Sequence, residues 1–205
     1  MWQSIWGKLY PKISPLIIVV VISRSRVRNF RNSNETTGMT KMKRTTKTEY
    51  YLALARDVAM RSPCSRRRFG AIIVKNDAIL STGYNGSCRG AMNCGEDIEC
   101  LKDLNNEESY KSYSYCPAVH AEQNAVINSA RSGVSVLDST MYLSPFVKKD
   151  GDTACHLCMR TLINAGVRDF YYLNKDGKIV YEKIADWIKL ENEWMENQKR
   201  ERVRK

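Results

Sequence analysis

The fold of this 205-residue chain is decided by two short segments, Cys116-Pro117-Ala118-Val119-His120-Ala121-Glu122-Gln123-Asn124-Ala125 and Ala154-Cys155-His156-Leu157-Cys158. His120, Cys155 and Cys158 are of the types that supply the three protein ligands of a catalytic zinc, whose fourth position stays open to water. Glu122 is then a proton carrier beside the metal and not a ligand. We expect each segment to open a helix, because the positive end of a helix dipole favours thiolates.

Each half of this pattern is weak by itself. A His-x-Glu is common, and an isolated Cys-x-x-Cys also occurs in redox pairs and zinc ribbons. Both halves occur here in one order, each followed by a helix-like run, and together they resemble the signature of zinc hydrolytic deaminases that act on nucleobases. His156 is the other histidine of the chain and a competing ligand, but we expect it to point sideways from the turn.

The positive charge of the chain is concentrated near its beginning. The net charge of +11 suggests nucleic acid binding when it is considered alone. Ten basic residues and one acidic residue precede Glu49, however, so nine of the eleven net charges lie in this leader. We therefore expect neither a nucleic acid partner nor a membrane partner. The alternative, a basic arm for one of the two, is disfavoured because charge runs are usually solvated.

We predict that residues 1–47 form a basic, disordered leader. Residues 13–22 are apolar, but they fall well short of the ~20 residues needed to cross a bilayer. No small-residue cleavage site follows them, so we expect a cytoplasmic protein. Met42 resembles a natural start, and we expect the first 41 residues to be an over-extended reading frame or a dispensable tail.

After the leader, hydrophobic patterns of helical and strand period alternate. We predict helices at 51–60, 120–132, 155–165 and from 186, and strands at 71–74, 78–81, 140–143, 168–172 and 178–181. Residues 87–117 form a long cysteine-bearing loop, which is uncommon without a function or a metal clip. Helices interleaved with short strands predict a three-layer α/β/α domain. We place this domain at 48–187, with a C-terminal helix and basic tail at 188–205.

Four segments resemble the deoxycytidylate (dCMP) deaminases of the cytidine deaminase-like superfamily: CSRRRFGAIIV (64–74), STGYNG (81–86), VHAEQNA (119–125) and INAGV (163–167). The Tyr-Asn-Gly turn and the Gln-Asn after His-Ala-Glu favour this branch over cytidine or tRNA-adenosine deaminases. The resemblance implies a mixed five-stranded sheet with helices on both faces, and a homo-oligomer that is commonly a hexamer. It also implies deamination of dCMP to dUMP for thymidylate synthesis, with dCTP and dTTP as effectors.

Two features depart from the family pattern. Ala154 stands where the family has a proline, which presets the start of a helix but binds nothing. Residues 146–153 (FVKKDGDT) form an insertion ahead of the cysteine pair. We expect this insertion to border the site, where it is placed to alter substrate preference.

The resemblance also suggests substrate contacts. Asn85 resembles the family's sugar-contacting asparagine, and the alternative is an asparagine chosen for left-handed turn geometry. Arg66 and Arg67 are candidates for binding the 5′-phosphate, because a guanidinium group binds phosphate with two hydrogen bonds. The alternative is a solvated run of charge.

A second, structural zinc is often present in the dCMP branch. Its expected ligands fall at Cys64, Cys94, Cys100 and Cys116. Four thiolates without an open position make a closed site, which would hold the long loop in place. The alternative is a set of buried or free cysteines in a reducing cytosol. Cys88 is left over as an alternate ligand.

Zinc-dependent deamination of dCMP is therefore the leading interpretation. One rival is deamination of another cytosine nucleotide or of a base in a polynucleotide. A rival of another class is a zinc-stabilised nucleic-acid-binding module with a vestigial site, and the intact His120, Glu122, Cys155 and Cys158 speak against it.

Overall fold

The computed structural model describes residues 44–106 and 115–203, so residues 1–43 of the predicted leader lie outside the described part. Within these ranges the helices are α1 (Lys47–Ala59), α2 (Leu101–Leu104), α3 (Ala121–Arg131), α4 (His156–Ala165) and α5 (Ile184–Val203). The strands are β1 (Phe69–Lys75), β2 (Ala78–Tyr84), β3 (Gly86–Ser87), β4 (Ala118–Val119), β5 (Thr140–Pro145), β6 (Asp169–Leu173) and β7 (Ile179–Lys183).

The first helix begins four residues before its predicted start at 51. The Thr46 hydroxyl accepts a hydrogen bond from the Glu49 backbone N–H at 3.2 Å, and the Glu49 carboxylate accepts one from the Thr46 N–H at 2.8 Å. This reciprocal pair is a capping box. The first turn of α1 is polar, and hydrophobic periodicity therefore did not indicate it. At the other end of the chain, α5 begins two residues before the predicted position and runs across the predicted boundary after residue 187.

The main sheet has five strands in the order β2-β1-β5-β6-β7. β5 and β6 are parallel and the other neighbours are antiparallel, which confirms the predicted mixed sheet. The β1–β2 hairpin turns through Asn76 at φ 50° and Asp77 at φ 65°. Both residue types tolerate this left-handed conformation, as a tight hairpin turn requires.

Both faces of the sheet are covered by helices. In β1, Ala71 and Ile73 belong to a core shared with α3 and α4, whereas Ile72 and Val74 pack with α1. Successive side chains of a strand point to opposite faces of the sheet. All four residues are buried because helices cover both of these faces. The predicted three-layer α/β/α architecture is therefore confirmed.

Gly83 lets α3 approach the sheet backbone closely. A Cβ atom on Gly83 would lie 2.3 Å from the Ala121 carbonyl oxygen and 2.3 Å from the Ala125 nitrogen. The start of α3 is therefore held directly against β2.

In the described residues, no helix has both the length and the apolar character that crossing a membrane requires.

Candidate metal centre and substrate pocket

Two helix N-termini bring the predicted metal ligands together. His120 is the N-cap residue of α3 and Cys155 that of α4, while Cys158 lies in the first turn of α4. The Gln123 side-chain oxygen accepts the His120 backbone N–H at 3.2 Å, which fixes the chain where it enters α3. Because α3 and α4 pack against the same face of the sheet, these side chains meet.

The ligand atoms lie at distances that suit a metal ion. His120 Nδ1 is 3.4 Å from the Cys155 sulfur and 3.3 Å from the Cys158 sulfur. Tetrahedral zinc with Zn–N of about 2.1 Å and Zn–S of about 2.3 Å holds such atoms about 3.6 Å apart. Across the described ranges, His120, Cys155 and Cys158 form the one group of three possible metal ligands whose atoms lie within 4.8 Å of one another. The exposed His156 lies outside this group. The donor set therefore fits zinc.

Glu122 lies beside this group and is 5% exposed. Burial raises the pKa of its carboxyl group, and its backbone N–H and His120 oppose that rise. The hydrogen bond with Cys155 raises the pKa of His120, and burial opposes it. A bound cation would favour thiolate over thiol at both cysteines. The arrangement thus places one enclosed carboxyl group next to a cation site.

A pocket of about 340 Å³ opens onto His120 and Glu122, with an apolar wall that includes Phe69, Leu143 and Ala154. Pockets of roughly 300–1,000 Å³ suit small ligands. A depression of about 640 Å³ at the β1–β2 turn contains none of the predicted ligands. The pocket of about 340 Å³ beside His120 and Glu122 is therefore the candidate substrate site.

Asn85 lines this pocket and also joins two parts of its wall. Its side-chain oxygen accepts hydrogen bonds from the Ser62 hydroxyl at 2.8 Å and the Phe69 backbone N–H at 2.7 Å. Its side-chain nitrogen donates to the Arg67 carbonyl at 2.9 Å. Asn85 is not among the described residues with positive φ, so the left-handed turn interpretation is wrong.

The two predicted phosphate-binding arginines both line the pocket, in different surroundings. The Arg67 guanidinium lies 3.6 Å from the Asp152 carboxylate and also donates to the Asp150 carbonyl oxygen. Arg66 Nε lies 3.5 Å from the Asp103 carboxylate. These side chains are held in the wall by specific partners, in contrast to a freely solvated run.

The segment 146–153, which we predict to be an insertion, borders the pocket. Asp152 and Thr153 line the pocket directly. Gly151 packs so closely on β6 that a Cβ atom would lie 2.3 Å from the Leu173 carbonyl oxygen. This contact anchors the segment to the sheet.

The Glu182 carboxylate on β7 connects the same segment to more distant elements. It accepts hydrogen bonds from the Thr153 hydroxyl at 3.3 Å, the Tyr172 hydroxyl at 3.0 Å and the Trp187 indole N–H at 2.7 Å. One acceptor group is therefore shared by three parts of the chain: the pocket rim at Asp152 and Thr153, strand β6 and helix α5.

The four cysteines predicted for a second zinc line one small cavity of about 40 Å³ beside the substrate pocket; they are Cys64, Cys94, Cys100 and Cys116. Burial raises the pKa of the Cys94 thiol, and Cys100 and Cys64 add to the rise. In the described part of the chain, no three of these sulfurs lie within 4.8 Å of one another, as the ligand atoms of His120, Cys155 and Cys158 do. Cys88 is exposed and does not line the cavity.

Lys102 is a pocket residue that the sequence did not indicate. It lies in α2, is 6% exposed, and lines both the substrate pocket and the cysteine cavity. A single lysine in a polar loop is normally solvated, so no local pattern marks this one as buried.

Residues 45–174 match the profile of a protein family described as the cytidine and deoxycytidylate deaminase zinc-binding region. The profile covers more than half of the chain. It includes both segments that carry the metal ligands.

Several known proteins are similar to this chain. It is 31% identical over 129 residues to the deoxycytidylate deaminase of Mycobacterium phage D29, across 60% of this chain and 91% of that protein. It is 28% identical to ComE operon protein 2 of Bacillus subtilis and 31% identical to the deoxycytidylate deaminase of Schizosaccharomyces pombe, across 64% and 60% of this chain. The chain spans only 61% and 35% of these two relatives. A crystal structure of dCMP deaminase from the cyanophage S-TIM5 with dCMP and dUMP is 30% identical, with a TM-score of 0.48, across 65% of this chain and 90% of that one.

Proposed function

Because the chain belongs to the cytidine and deoxycytidylate deaminase family, whose zinc-binding region its residues 45–174 match, we propose that it converts dCMP and water to dUMP and ammonia. The observation that carries this proposal is the convergence of His120, Cys155 and Cys158 beside the buried Glu122 in one pocket. The similarity to proteins named deoxycytidylate deaminase supports dCMP as the substrate.

His120, Cys155 and Cys158 are the residues that would hold zinc. When bound, zinc supplies Lewis-acid activation of a water molecule near neutral pH. Both cysteines are fixed at the start of α4 and the histidine at the start of α3, so the ligands are held by packed helices.

Glu122 carries the protons in this proposal. It accepts one proton from the attacking water and delivers it to N3 of cytosine while oxygen bonds to C4. It then transfers the remaining hydroxyl proton to the amino group, so that the C4–N bond breaks and ammonia leaves. One carboxyl group shielded from bulk water serves both transfers.

The proposed substrate contacts are Asn85 for the sugar and Arg66 and Arg67 for the phosphate. The Asn85 amide donates one proton to the Arg67 carbonyl and has a second for a ligand. Both arginines line the pocket.

A substrate panel tests the function. Ammonia release is measured with dCMP, CMP, deoxycytidine, dCTP and single-stranded DNA at equal concentrations. We expect the highest kcat/KM with dCMP. Faster release from single-stranded DNA would replace dCMP with a polynucleotide base, and no release from any compound with the zinc-loaded protein would contradict deamination.

We propose that the cysteine cavity holds a second, structural zinc, and that Cys64→Ser or Cys94→Ser lowers the zinc content from two ions per chain to one. The four cysteines share one cavity, which supports a common ligand. The content is measured by elemental mass spectrometry. The matched control is Cys88→Ser, which changes an exposed cysteine outside the cavity and should retain both ions. A wild-type content of one ion, with unchanged melting temperatures in both variants, would contradict the second site.

We propose that residues 48–187 carry the activity and that deletion of residues 1–41 leaves kcat and KM for dCMP unchanged. The residues that line the pocket lie between Cys64 and Cys155, and the cap of α1 is Thr46. Steady-state kinetics of both forms check this expectation. A large loss of turnover on truncation would show that the domain boundary is misplaced.

The family resemblance supports three finer proposals. We propose that the dUMP is used for thymidylate synthesis in the cytosol. We also propose regulation by dCTP and dTTP, and assembly into a homo-oligomer, as a hexamer.

A further inference from the structure

The two edges of the five-stranded sheet differ in how their backbone groups are covered. β2 forms one edge and β7 the other. The Thr82 carbonyl on β2 accepts a hydrogen bond from the Asn128 side chain at 2.6 Å. The Tyr84 carbonyl accepts one from the Asn124 side chain at 2.7 Å. These asparagines of α3 occupy acceptors that an added strand would need, so the β2 edge is closed to further pairing.

The backbone of β7 is open on one side within the described residues, because β7 pairs with β6 alone. At one end of this ladder the Asn174 N–H donates to the Lys178 carbonyl, and at the other the Ile184 N–H donates to the residue before β6, both at 3.0 Å. Antiparallel pairs alternate between bonded and non-bonded positions. The N–H and carbonyl groups of Ile179 and Tyr181 therefore point away from β6, towards the open edge.

The side chains at these two positions are large, apolar and solvent-accessible. Ile179 is 43% exposed and Tyr181 is 50% exposed. Across the ladder they lie opposite Leu173 and Tyr171, which pack against the core on the α1 side of the sheet. Of the features that protect edge strands, β7 contains no proline, and its pairing with β6 has no bulge. The open edge is thus suited to accept another strand.

We propose that β7 pairs antiparallel with β7 of a second copy of this chain, across a two-fold axis that joins the two sheets edge to edge. This inference rests on the proposed homo-oligomer, for which it names a contact, and not on the proposed reaction. An isologous contact of this kind uses the same surface of both copies. The strand must therefore complement itself.

The charges of the strand favour a second copy as the partner. With Val180 on the axis, Ile179 lies opposite Tyr181 of the second copy, and Lys178 lies opposite Glu182 of the second copy. Opposite charges at facing positions stabilise a strand pair. The Glu182 carboxylate accepts three hydrogen bonds within one copy, and a carboxylate offers about four acceptor positions, so one remains for Lys178.

The same register satisfies the open backbone groups. Ile179 of each copy faces Tyr181 of the other, and each of these pairs exchanges both of its backbone hydrogen bonds. The exposed isoleucine and tyrosine side chains then contact each other on one face of the joined sheet and lose water there. Every contact occurs on both sides of the axis, so a single substitution changes the interface twice.

Lys178→Glu tests the partner and the register together, because it sets two glutamates opposite each other on both sides of the axis. We expect the dissociation constant of the two-fold contact to rise roughly 10-fold or more at low salt. Sedimentation velocity of the full chain over a concentration series measures it. The matched control is Lys175→Glu, which makes the same charge change at an exposed lysine in the turn before β7 and should leave assembly unchanged.

Two backbone-directed variants complete the test. Tyr181→Pro removes an outward N–H, while the bonds to β6 come from neighbouring residues and persist. We expect it to halve the mass of the assembled particle. Val180→Cys should form a disulfide between copies under mild oxidation, because facing Cα atoms at a non-bonded position are about 4.5 Å apart. Lys175→Cys is the control and should form none.

The outcomes separate this contact from the other proposals. A wild-type protein that stays monomeric at every concentration would overturn the contact together with the proposed homo-oligomer. A wild-type oligomer that Lys178→Glu and a folded Tyr181→Pro leave intact would overturn the contact alone. If Tyr181→Pro does not fold, absence of the disulfide in a folded, oligomeric Val180→Cys would overturn it. Ammonia release enters none of these measurements, so a failure of the proposed reaction leaves them readable.

Discussion

Glu122→Gln should lower kcat for dCMP by about 10²- to 10⁴-fold, which is the usual contribution of a positioned general acid–base group. Glutamine fills nearly the same volume and keeps an oxygen acceptor, but it does not carry a proton between water, N3 and the amino group. Because Glu122 lies outside the His-Cys-Cys group, we expect zinc content and dUMP affinity to stay near their wild-type values. Ammonia release, elemental analysis and calorimetry measure the three quantities.

The matched control for this variant is Glu193→Gln, which changes an exposed glutamate on α5 and should leave all three measurements unchanged. If Glu122→Gln retained turnover within about tenfold of wild type, another group would have to carry the protons. Loss of zinc in the variant would instead make Glu122 part of the metal site.

Gly83→Ala should destabilise the fold by roughly 3 kcal/mol or more, at or above the upper end of the usual cost of overpacking. The added methyl group would meet the backbone of α3 at 2.3 Å, and a backbone has no rotamer through which to give way. Because α3 carries Glu122 and is capped by His120, its displacement should also reduce zinc content. Urea unfolding and elemental analysis measure the two effects.

Two other glycines provide the comparison. In Gly70→Ala the methyl group would lie 2.1 Å from the Ala55 carbonyl oxygen in α1, so stability should fall by a similar amount while folded protein keeps its zinc. In Gly133→Ala it would meet no atom within 4 Å, and only the φ of +68° costs energy, about 1 kcal/mol. A Gly83→Ala protein no less stable than Gly133→Ala would show that α3 does not rest on the strand.

The grouping of His120, Cys155 and Cys158 could be predicted from sequence because each of the two motifs has a local spacing. Cys155 and Cys158 are three residues apart, which brings them to one side of a helical turn, and each metal-binding segment precedes an amphipathic run. The strands were recognisable because β1 is apolar at successive positions, as a strand buried on both faces must be. The start of α1 was missed because a polar capping box has no hydrophobic period.

The features that escaped prediction depend on contacts between distant parts of the chain. Lys102 is buried beside a cavity that residues 94–102 form with the segment before β1, and sequence composition does not indicate which distant segments meet. Asn85 could be assigned to a turn, but its side-chain partners, Ser62 and Arg67, come from the segment between α1 and β1. The surroundings of such residues cannot be derived from local sequence and become known only from the folded structure.

The Glu182 carboxylate, which accepts hydrogen bonds from three side chains, couples the opening motions of two parts of the domain. Trp187 belongs to the last helix and Thr153 to the pocket rim, and both donate to the same carboxylate. When α5 detaches transiently, the carboxylate loses its shortest hydrogen bond, the one from Trp187. We expect the hydrogen bond from Thr153 at the pocket rim to weaken as a result. The amide protons of the rim and of the first turns of α5 should therefore exchange with solvent as one cooperative unit, at a lower free energy than those of β1 and β5. The C-terminal helix is in this sense a part of the entrance to the pocket.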